Sequence, residues 1–165
     1  MRQGAFQILF VCTGNTCRSP MAQVLLEARL PEDLRDRVVV SSAGSFGMTG
    51  APAAVHAVDV TAGAGIDLRS HEARRYAPEM AAEADLVLAM DEGNRDFVLG
   101  QSPDQSDRIF CLREAAATDA GDEISIRDPF GGDAEDYRRC FEEIEREIEN
   151  LMPRLRQWLD GEPTN

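Results

Sequence analysis

The chain has 165 residues with 43% hydrophobic content, which suits one domain with a sizeable core. Its net charge is −13 and all 17 of its bases are arginine, so nucleic acid and anionic membranes are not expected as partners. No apolar run is long enough to span a bilayer, and no signal-peptide cleavage pattern follows the N-terminal apolar run. A cytoplasmic protein is expected. Its four cysteines form no CxxC pair, which argues against zinc and favours reduced thiols.

The N-terminal segment predicts a strand, a loop and a helix in that order. Residues Phe6 to Val11 form a short continuous apolar run, which is typical of a strand buried on both faces of a parallel sheet. The loop CTGNTCRSP follows, and then apolar residues recur at helical spacing from Met21 to Leu26. Pro20 suits the first turn of that helix, where its missing N–H costs nothing.

The rest of the chain alternates further strands with helices. Strands are predicted at Val38–Ser41, Leu86–Met90 and Ile109–Leu112. A loop over 43–52 is followed by predicted helices at Pro52–Val60, Pro78–Glu83 and Arg95–Leu99. A long polar loop over 118–132 then leads to a last helix, which begins after the N-cap Asp133. Pro153 is expected to kink or divide that last helix.

These elements predict a three-layer α/β/α sandwich around a four-stranded parallel sheet. The absence of a linker or repeat indicates a single domain over residues 1–160, followed by a disordered tail at 161–165. Ligands of such sheets bind beyond the carboxyl ends of the strands. Cys12 follows the first strand directly, so chemistry is expected there.

The loop after the first strand has the properties of a phosphate site. Five residues separate Cys12 from Arg18, and a helix begins immediately afterwards. Backbone N–H groups at such a loop and helix N-terminus converge on a tetrahedral oxyanion, and an arginine adds a planar fork for two of its oxygens. Cys12 then becomes a nucleophile under the phosphate, with Ser19 donating to the thiolate. The alternative is a structural cysteine beside a surface arginine, which the Gly and Asn of the loop disfavour.

A phosphatase of this kind needs a general acid for the leaving group. Asp128 is the best candidate, because it lies in a long polar loop, precedes Pro129 and is followed closely by Gly131 and Gly132. An aspartate that merely starts a turn is the alternative interpretation.

Four motifs resemble the low-molecular-weight protein tyrosine phosphatase family, in the order nucleophile first and acid late. They are VCTGNTCRSPMA at 11–22, SSAG at 41–44, ADLVLAM at 84–90 and DPFGG at 128–132. The resemblance implies Cys12 as nucleophile, Arg18 as phosphate binder and Asp128 as general acid, with a phosphocysteine intermediate. It implies no metal or organic cofactor, phosphorylated proteins or peptides as substrates, and inorganic phosphate or similar oxyanions as inhibitors.

The resemblance also implies roles for residues around the three catalytic candidates. The phosphate-binding loop comprises Thr13, Gly14, Asn15, Thr16, Cys17 and Ser19. Asn15, Ser42 and His71 are expected to brace it, since asparagine tolerates the left-handed backbone that a tight anion loop requires. A plain surface position for His71 is the alternative.

Thr16 and Phe130 resemble the bacterial protein-arginine phosphatase branch of the family. Other members carry a bulky aliphatic residue in place of Thr16. The N–H groups of a phosphoarginine guanidinium need acceptors, which a threonine hydroxyl supplies and an aliphatic side chain does not. Unpaired donors cost about 1–3 kcal/mol. Phosphoarginine is therefore the predicted substrate and Thr16 and Phe130 the selectivity residues. Phosphotyrosine is the alternative substrate, with Thr16 a neutral substitution.

The remaining cysteines raise two further hypotheses. Cys17 shares the loop with Cys12, so a reversible Cys12–Cys17 disulfide could inactivate the enzyme under oxidation; a small buried residue is the alternative. Arsenate reductases share this fold and loop but need another cysteine pair. Cys111 and Cys140 instead fall in a predicted strand and helix as core residues, which argues against a reductase. A non-catalytic phosphoprotein-binding module is disfavoured because Cys12 and Asp128 are both present.

Overall fold

The structure, a computed structural model, describes residues 4–116, 121 and 123–161. Four parallel strands lie in the order β2-β1-β3-β4. They are β1 (Phe6–Cys12), β2 (Val38–Gly44), β3 (Leu86–Ala89) and β4 (Ile109–Cys111). The helices of the described ranges are α1 (Arg18–Arg29), α2 (Glu32–Arg35), α3 (Val55–Gly63), α4 (Pro78–Glu83), α5 (Glu92–Gln101), α6 (Leu112–Ala116) and α7 (Ala134–Asp160), with a 3-10 helix at Pro103–Arg108.

Helices cover both faces of the sheet, because the side chains of a strand alternate between faces. On β1, Ile8 and Phe10 belong to the core that packs against α1 and α7. Leu9 and Val11 belong to a second core, which packs against α4 and α5. The predicted three-layer sandwich with a four-stranded parallel sheet is therefore confirmed.

Several predicted boundaries were wrong by a few residues. Strand β2 continues to Gly44, into the stretch predicted as loop, because it pairs with β1 along its whole length. Helix α3 begins at Val55 and not at Pro52, since Pro52 forms a β-bridge with Glu72. Strand β4 ends one residue early, because Leu112 already begins α6.

The last helix forms as predicted from its N-cap. The Asp133 side chain accepts from Asp136 N while the Asp136 side chain accepts from Asp133 N, which is a capping box. The helix is continuous through Pro153, so the predicted division does not occur. Gly161 ends it in the left-handed conformation. Residues 162–165 of the predicted tail, and 118–120 and 122 of the predicted polar loop, lie outside the described residues.

The carboxyl end of β2 packs directly against the loop that follows β1. A Cβ atom on Gly44 would lie 2.6 Å from Thr13 O and 2.8 Å from Asn15 N. Only glycine therefore allows this approach. Across the described ranges, no helix is both long and apolar enough to cross a membrane.

Candidate active site

Cys12 lies at the floor of a pocket, at the last position of β1. Its Sγ atom is 2.9 Å from Ser19 Oγ and accepts a hydrogen bond from Asn15 N at 3.3 Å. Asn15 Nδ2 donates to Ser19 Oγ at 2.8 Å. Because Ser19 Oγ accepts that bond, its own proton is left for an acceptor, and Cys12 Sγ is closer than the Ala43 carbonyl at 3.5 Å. Two hydrogen-bond donors therefore meet the Cys12 sulfur.

Asn15 holds the loop together from its centre. It is fully buried with φ of 55°, a left-handed conformation that asparagine adopts more readily than most residues. Its Nδ2 also donates to Ser42 Oγ at 3.0 Å, and its Oδ1 accepts from Arg74 N at 2.9 Å. His71 Nε2 is 2.7 Å from Asn15 O. Both predicted braces, Ser42 and His71, thus contact Asn15, and His71 is half-buried rather than a free surface residue.

The Arg18 guanidinium is fixed by contacts from three segments, and the residue is 1% exposed. Nη1 donates to Asp91 Oδ2 at 2.6 Å and to Ile126 O at 2.9 Å. Nη2 lies 3.3 Å from Asp128 Oδ2 and 3.5 Å from Thr13 Oγ1. Burial opposes the charge, but the Asp91 hydrogen bond and the nearby carboxylates outweigh it and raise the pKa of Arg18. Nε has no hydrogen-bond partner among the described residues, so a donor remains for an oxyanion.

Asp128 lies at the rim, close to Arg18. Its side chain is 42% exposed, and its Oδ1 accepts from Phe130 N at 3.1 Å, as in an Asx turn. Gly131 then takes a left-handed φ of 79°, which turns the chain towards the capped start of α7. The carboxylate is thus both anchored in a turn and accessible to a ligand.

Eight of the twelve predicted site residues line one cavity of about 240 Å³, whereas Asn15, Ser19, Ser42 and His71 do not. Loop residues 12–14 and 16–18 form its floor, and Asp128 contributes an acid to its wall. Phe46, Met48 and Phe130 also line it, and they are among the most exposed large hydrophobic side chains of the described ranges. A floor that contains the Arg18 guanidinium therefore lies below an apolar mouth.

The other cysteines lie in buried positions. Cys17 Sγ is 3.2 Å from Tyr137 OH and 3.6 Å from Thr16 Oγ1, and burial raises its pKa. Cys111 in β4 and Cys140 in α7 belong to the core, as predicted. Burial raises the pKa of Cys111 to about 12 and also raises that of Cys140. The Cys12–Cys17 disulfide stays a prediction.

Sequence reasoning missed most of the residues that support this loop. Asp91 Oδ1 caps α5 through Asn94 N at 2.7 Å while its Oδ2 binds Arg18. Gln23 accepts from Ser42 Oγ at 2.8 Å, and Arg74 Nε donates to Ser42 O at 2.7 Å. Only Asp91 carries a recognisable pattern, since it follows β3 closely, just as Cys12 ends β1.

Comparison with known proteins agrees with this geometry. Residues 7–160 match the model of the family described as low molecular weight phosphotyrosine protein phosphatase. A protein-arginine-phosphatase from Geobacillus stearothermophilus is 42% identical over 151 residues, covering 91% of this chain and 96% of the relative. A probable low molecular weight protein-tyrosine-phosphatase EpsP from Ralstonia nicotianae is 36% identical and covers 90% and 95%.

A solved structure shares the whole architecture. The YwlE arginine phosphatase from Geobacillus stearothermophilus superposes with a TM-score of 0.82 at 39% identity, covering 97% of this chain and 99% of that one. With the matched family model, this likeness extends over nearly the entire described chain. The chain therefore belongs to the low molecular weight phosphotyrosine protein phosphatase family, whose members are cysteine-dependent protein phosphatases.

Proposed function

We propose that this protein hydrolyses phosphoarginine residues of proteins through a phosphocysteine intermediate. The observation that carries the proposal is Thr16, a hydroxyl-bearing residue that lines the same pocket as Cys12 and Asp128. The relatives named arginine phosphatases support the same choice. Phosphoproteins or phosphopeptides are the proposed partners, and inorganic phosphate is the proposed product inhibitor.

Phosphate binding uses the loop, the start of α1 and Arg18. Backbone N–H groups and the positive end of the helix dipole attract the dianion. The Arg18 guanidinium, already oriented by Asp91 and Ile126 O, supplies further donors to phosphate oxygens. Because these groups are fixed before substrate arrives, little reorganisation accompanies the build-up of charge in the transition state.

In the first chemical step, Cys12 Sγ attacks phosphorus opposite the leaving group. The S–P bond forms as the bond from phosphorus to the leaving atom breaks, and protonated Asp128 gives its proton to that atom. For phosphoarginine the leaving atom is a guanidine nitrogen, and arginine leaves.

In the second step, Asp128 takes a proton from a water molecule whose oxygen attacks phosphorus. The S–P bond breaks, inorganic phosphate leaves and the Cys12 thiolate returns, stabilised by the Ser19 hydroxyl and Asn15 N. The balance is one phosphoarginine and one water consumed for one arginine and one phosphate formed.

Substitution of Thr16 tests the substrate assignment. Thr16→Val keeps the shape of the side chain but removes the acceptor, so kcat/KM for a phosphoarginine peptide should fall about tenfold, the cost of an unpaired donor. Hydrolysis of a sequence-matched phosphotyrosine peptide should be unchanged or faster. Thr16→Ile should shift the preference further towards phosphotyrosine. The measurement is kcat/KM for both peptides with each variant.

Thr16→Ser is the matched control, because it keeps the hydroxyl and should keep phosphoarginine preference. If the native protein prefers phosphotyrosine, or if Thr16→Val slows both peptides equally, the phosphoarginine assignment is wrong. Phosphotyrosine is the second candidate because the apolar mouth formed by Phe46, Met48 and Phe130 also suits a phenyl ring.

Cysteine alkylation tests the nucleophile separately. At pH 7, iodoacetamide should modify Cys12 first, and inorganic phosphate should protect it. Alkylation needs the thiolate; the raised pKa of Cys17 and of Cys140, and that of Cys111 at about 12, keep those buried thiols protonated at this pH. Peptide mass spectrometry after timed labelling gives the order. Equal labelling of Cys17, or no protection by phosphate, would contradict the assignment.

A further inference from the structure

Residues 123–128 carry Asp128 to the pocket along the end of the sheet. Ile126 N donates to Met90 O at 2.8 Å, and the Ile126 side chain is buried in the core. Ser125 Oγ accepts from Glu92 N at the start of α5, at 3.1 Å. These contacts attach the segment to β3 and α5.

Arg113 of α6 attaches the same segment to α7. Its Nη1 donates to Glu123 O at 3.0 Å and to Ser125 O at 3.2 Å. Its Nη2 pairs with Glu143, and its Nε lies 3.5 Å from Glu147 Oε1. The side chains of Arg113 and Glu147 are only 13% and 4% exposed. One largely covered guanidinium therefore joins two backbone carbonyls of the segment to two carboxylates of the helix.

The segment is thereby held to α7 at both ends. After Asp128 the chain enters the capping box of Asp133 at the start of the helix. Glu143 and Glu147 lie ten and fourteen residues further on, roughly 15–21 Å along the axis. Arg113 consequently sets the distance between residues 123–125, which precede Asp128, and the middle of α7. The capping box at Asp133 fixes the chain that follows Asp128.

We propose that Arg113 is a positioning residue for Asp128. It holds the Asp128 carboxyl group where that group can reach the leaving atom of the substrate. The inference rests on the general-acid role proposed above. The planar guanidinium donates to both carbonyls through Nη1 and pairs with Glu143 through Nη2, whereas a lysine ammonium keeps the charge but not the fork. Arg113→Lys should therefore preserve the ion pair and loosen the segment.

The diagnostic is the dependence of kcat/KM on the leaving group, measured with phenyl phosphate and p-nitrophenyl phosphate. A poor leaving group needs the acid and a good one much less, so misplacing the acid penalises phenyl phosphate selectively. Arg113→Lys should lower kcat/KM about tenfold for phenyl phosphate and less than about threefold for p-nitrophenyl phosphate. Asp128→Asn should lower the ratio of kcat/KM for phenyl phosphate to that for p-nitrophenyl phosphate more than Arg113→Lys does. Both probes are aryl phosphates, so the outcome does not depend on phosphoarginine preference.

Arg154→Lys is the matched control. Arg154 also donates from α7 to backbone carbonyls, Glu114 O and Ala115 O of α6, and its replacement should leave the ratio unchanged. Thermal unfolding of all variants shows whether each remains folded. The positioning role of Arg113 would be overturned if Arg113→Lys lowered kcat/KM equally for both esters or for neither. It would also be overturned if Arg154→Lys changed the ratio of the two values as much as Arg113→Lys does. An unchanged ratio in Asp128→Asn would overturn the acid assignment together with it.

Discussion

Replacing Arg18 with lysine is expected to lower kcat/KM by about a thousandfold, the loss seen when a fixed oxyanion donor is removed. In the native site, Nη1 is occupied by Asp91 and Ile126 O, which leaves Nε without a partner among the described residues. One end of the guanidinium therefore fixes the group, while the other end keeps a donor for the proposed contact with phosphate. A lysine ammonium attracted to Asp91 cannot do both, since its donors share a single nitrogen.

The measurement is kcat/KM for the preferred phosphopeptide together with the inhibition constant for inorganic phosphate. In Arg18→Lys, kcat/KM should fall and the inhibition constant for inorganic phosphate should rise, because phosphate uses the same donors in the ground state. Arg95→Lys is a suitable control, as Arg95 also pairs with a carboxylate, Glu114, at 2.8 Å, but on α5 away from the pocket lining. Activity of Arg18→Lys within tenfold of the native value would exclude Arg18 as the phosphate clamp.

Local patterns were sufficient to predict the centre of the site. Cys12 ends a buried strand and Arg18 begins the next helix, so one short loop joins them, and that geometry follows from sequence spacing alone. Asp128 was predicted from its Asp-Pro-Phe-Gly-Gly context and from the family resemblance. The structure brings its carboxylate to 3.3 Å from Arg18 Nη2, a contact across 110 residues that no local pattern specifies.

Apart from the expected contacts of Ser42 and His71 with Asn15, the supporting contacts were beyond prediction for the same reason. Arg74 N reaches Asn15 Oδ1 across 59 residues, and Ser42 Oγ reaches Gln23 across 19. Such pairs depend on how the ends of β1 and β2 and the segment after α3 converge. Gln23 lies on α1, outside the phosphate-binding loop. Its hydrogen bond to Ser42 connects it to Asn15 and thus to the loop.

Asn15→Ala is expected to lower kcat/KM about a hundredfold, at the lower end for loss of a preorganised polar group, and also to destabilise the fold. Its amide donates to Ser19 and Ser42 and accepts from Arg74 N. Losing the acceptor leaves the part-buried N–H of Arg74 unpaired, at about 1–3 kcal/mol, and alanine at a φ of 55° adds about 1–2 kcal/mol. Ser19 then loses the donor that directs its own proton to Cys12. Thermal or urea unfolding gives the stability, and peptide hydrolysis gives the rate.

Asn15→Gly separates the two causes, because glycine adopts the left-handed conformation without strain but supplies no side chain. It should recover about 1 kcal/mol of the lost stability and almost none of the lost activity. Recovery of activity in Asn15→Gly would mean that the backbone conformation alone shapes the loop. The hydrogen bonds from Asn15 to Ser19 and Ser42 would then be unnecessary for the Cys12 thiolate. Loss of activity in both variants, with stability restored only in the glycine variant, would instead assign catalysis to those hydrogen bonds.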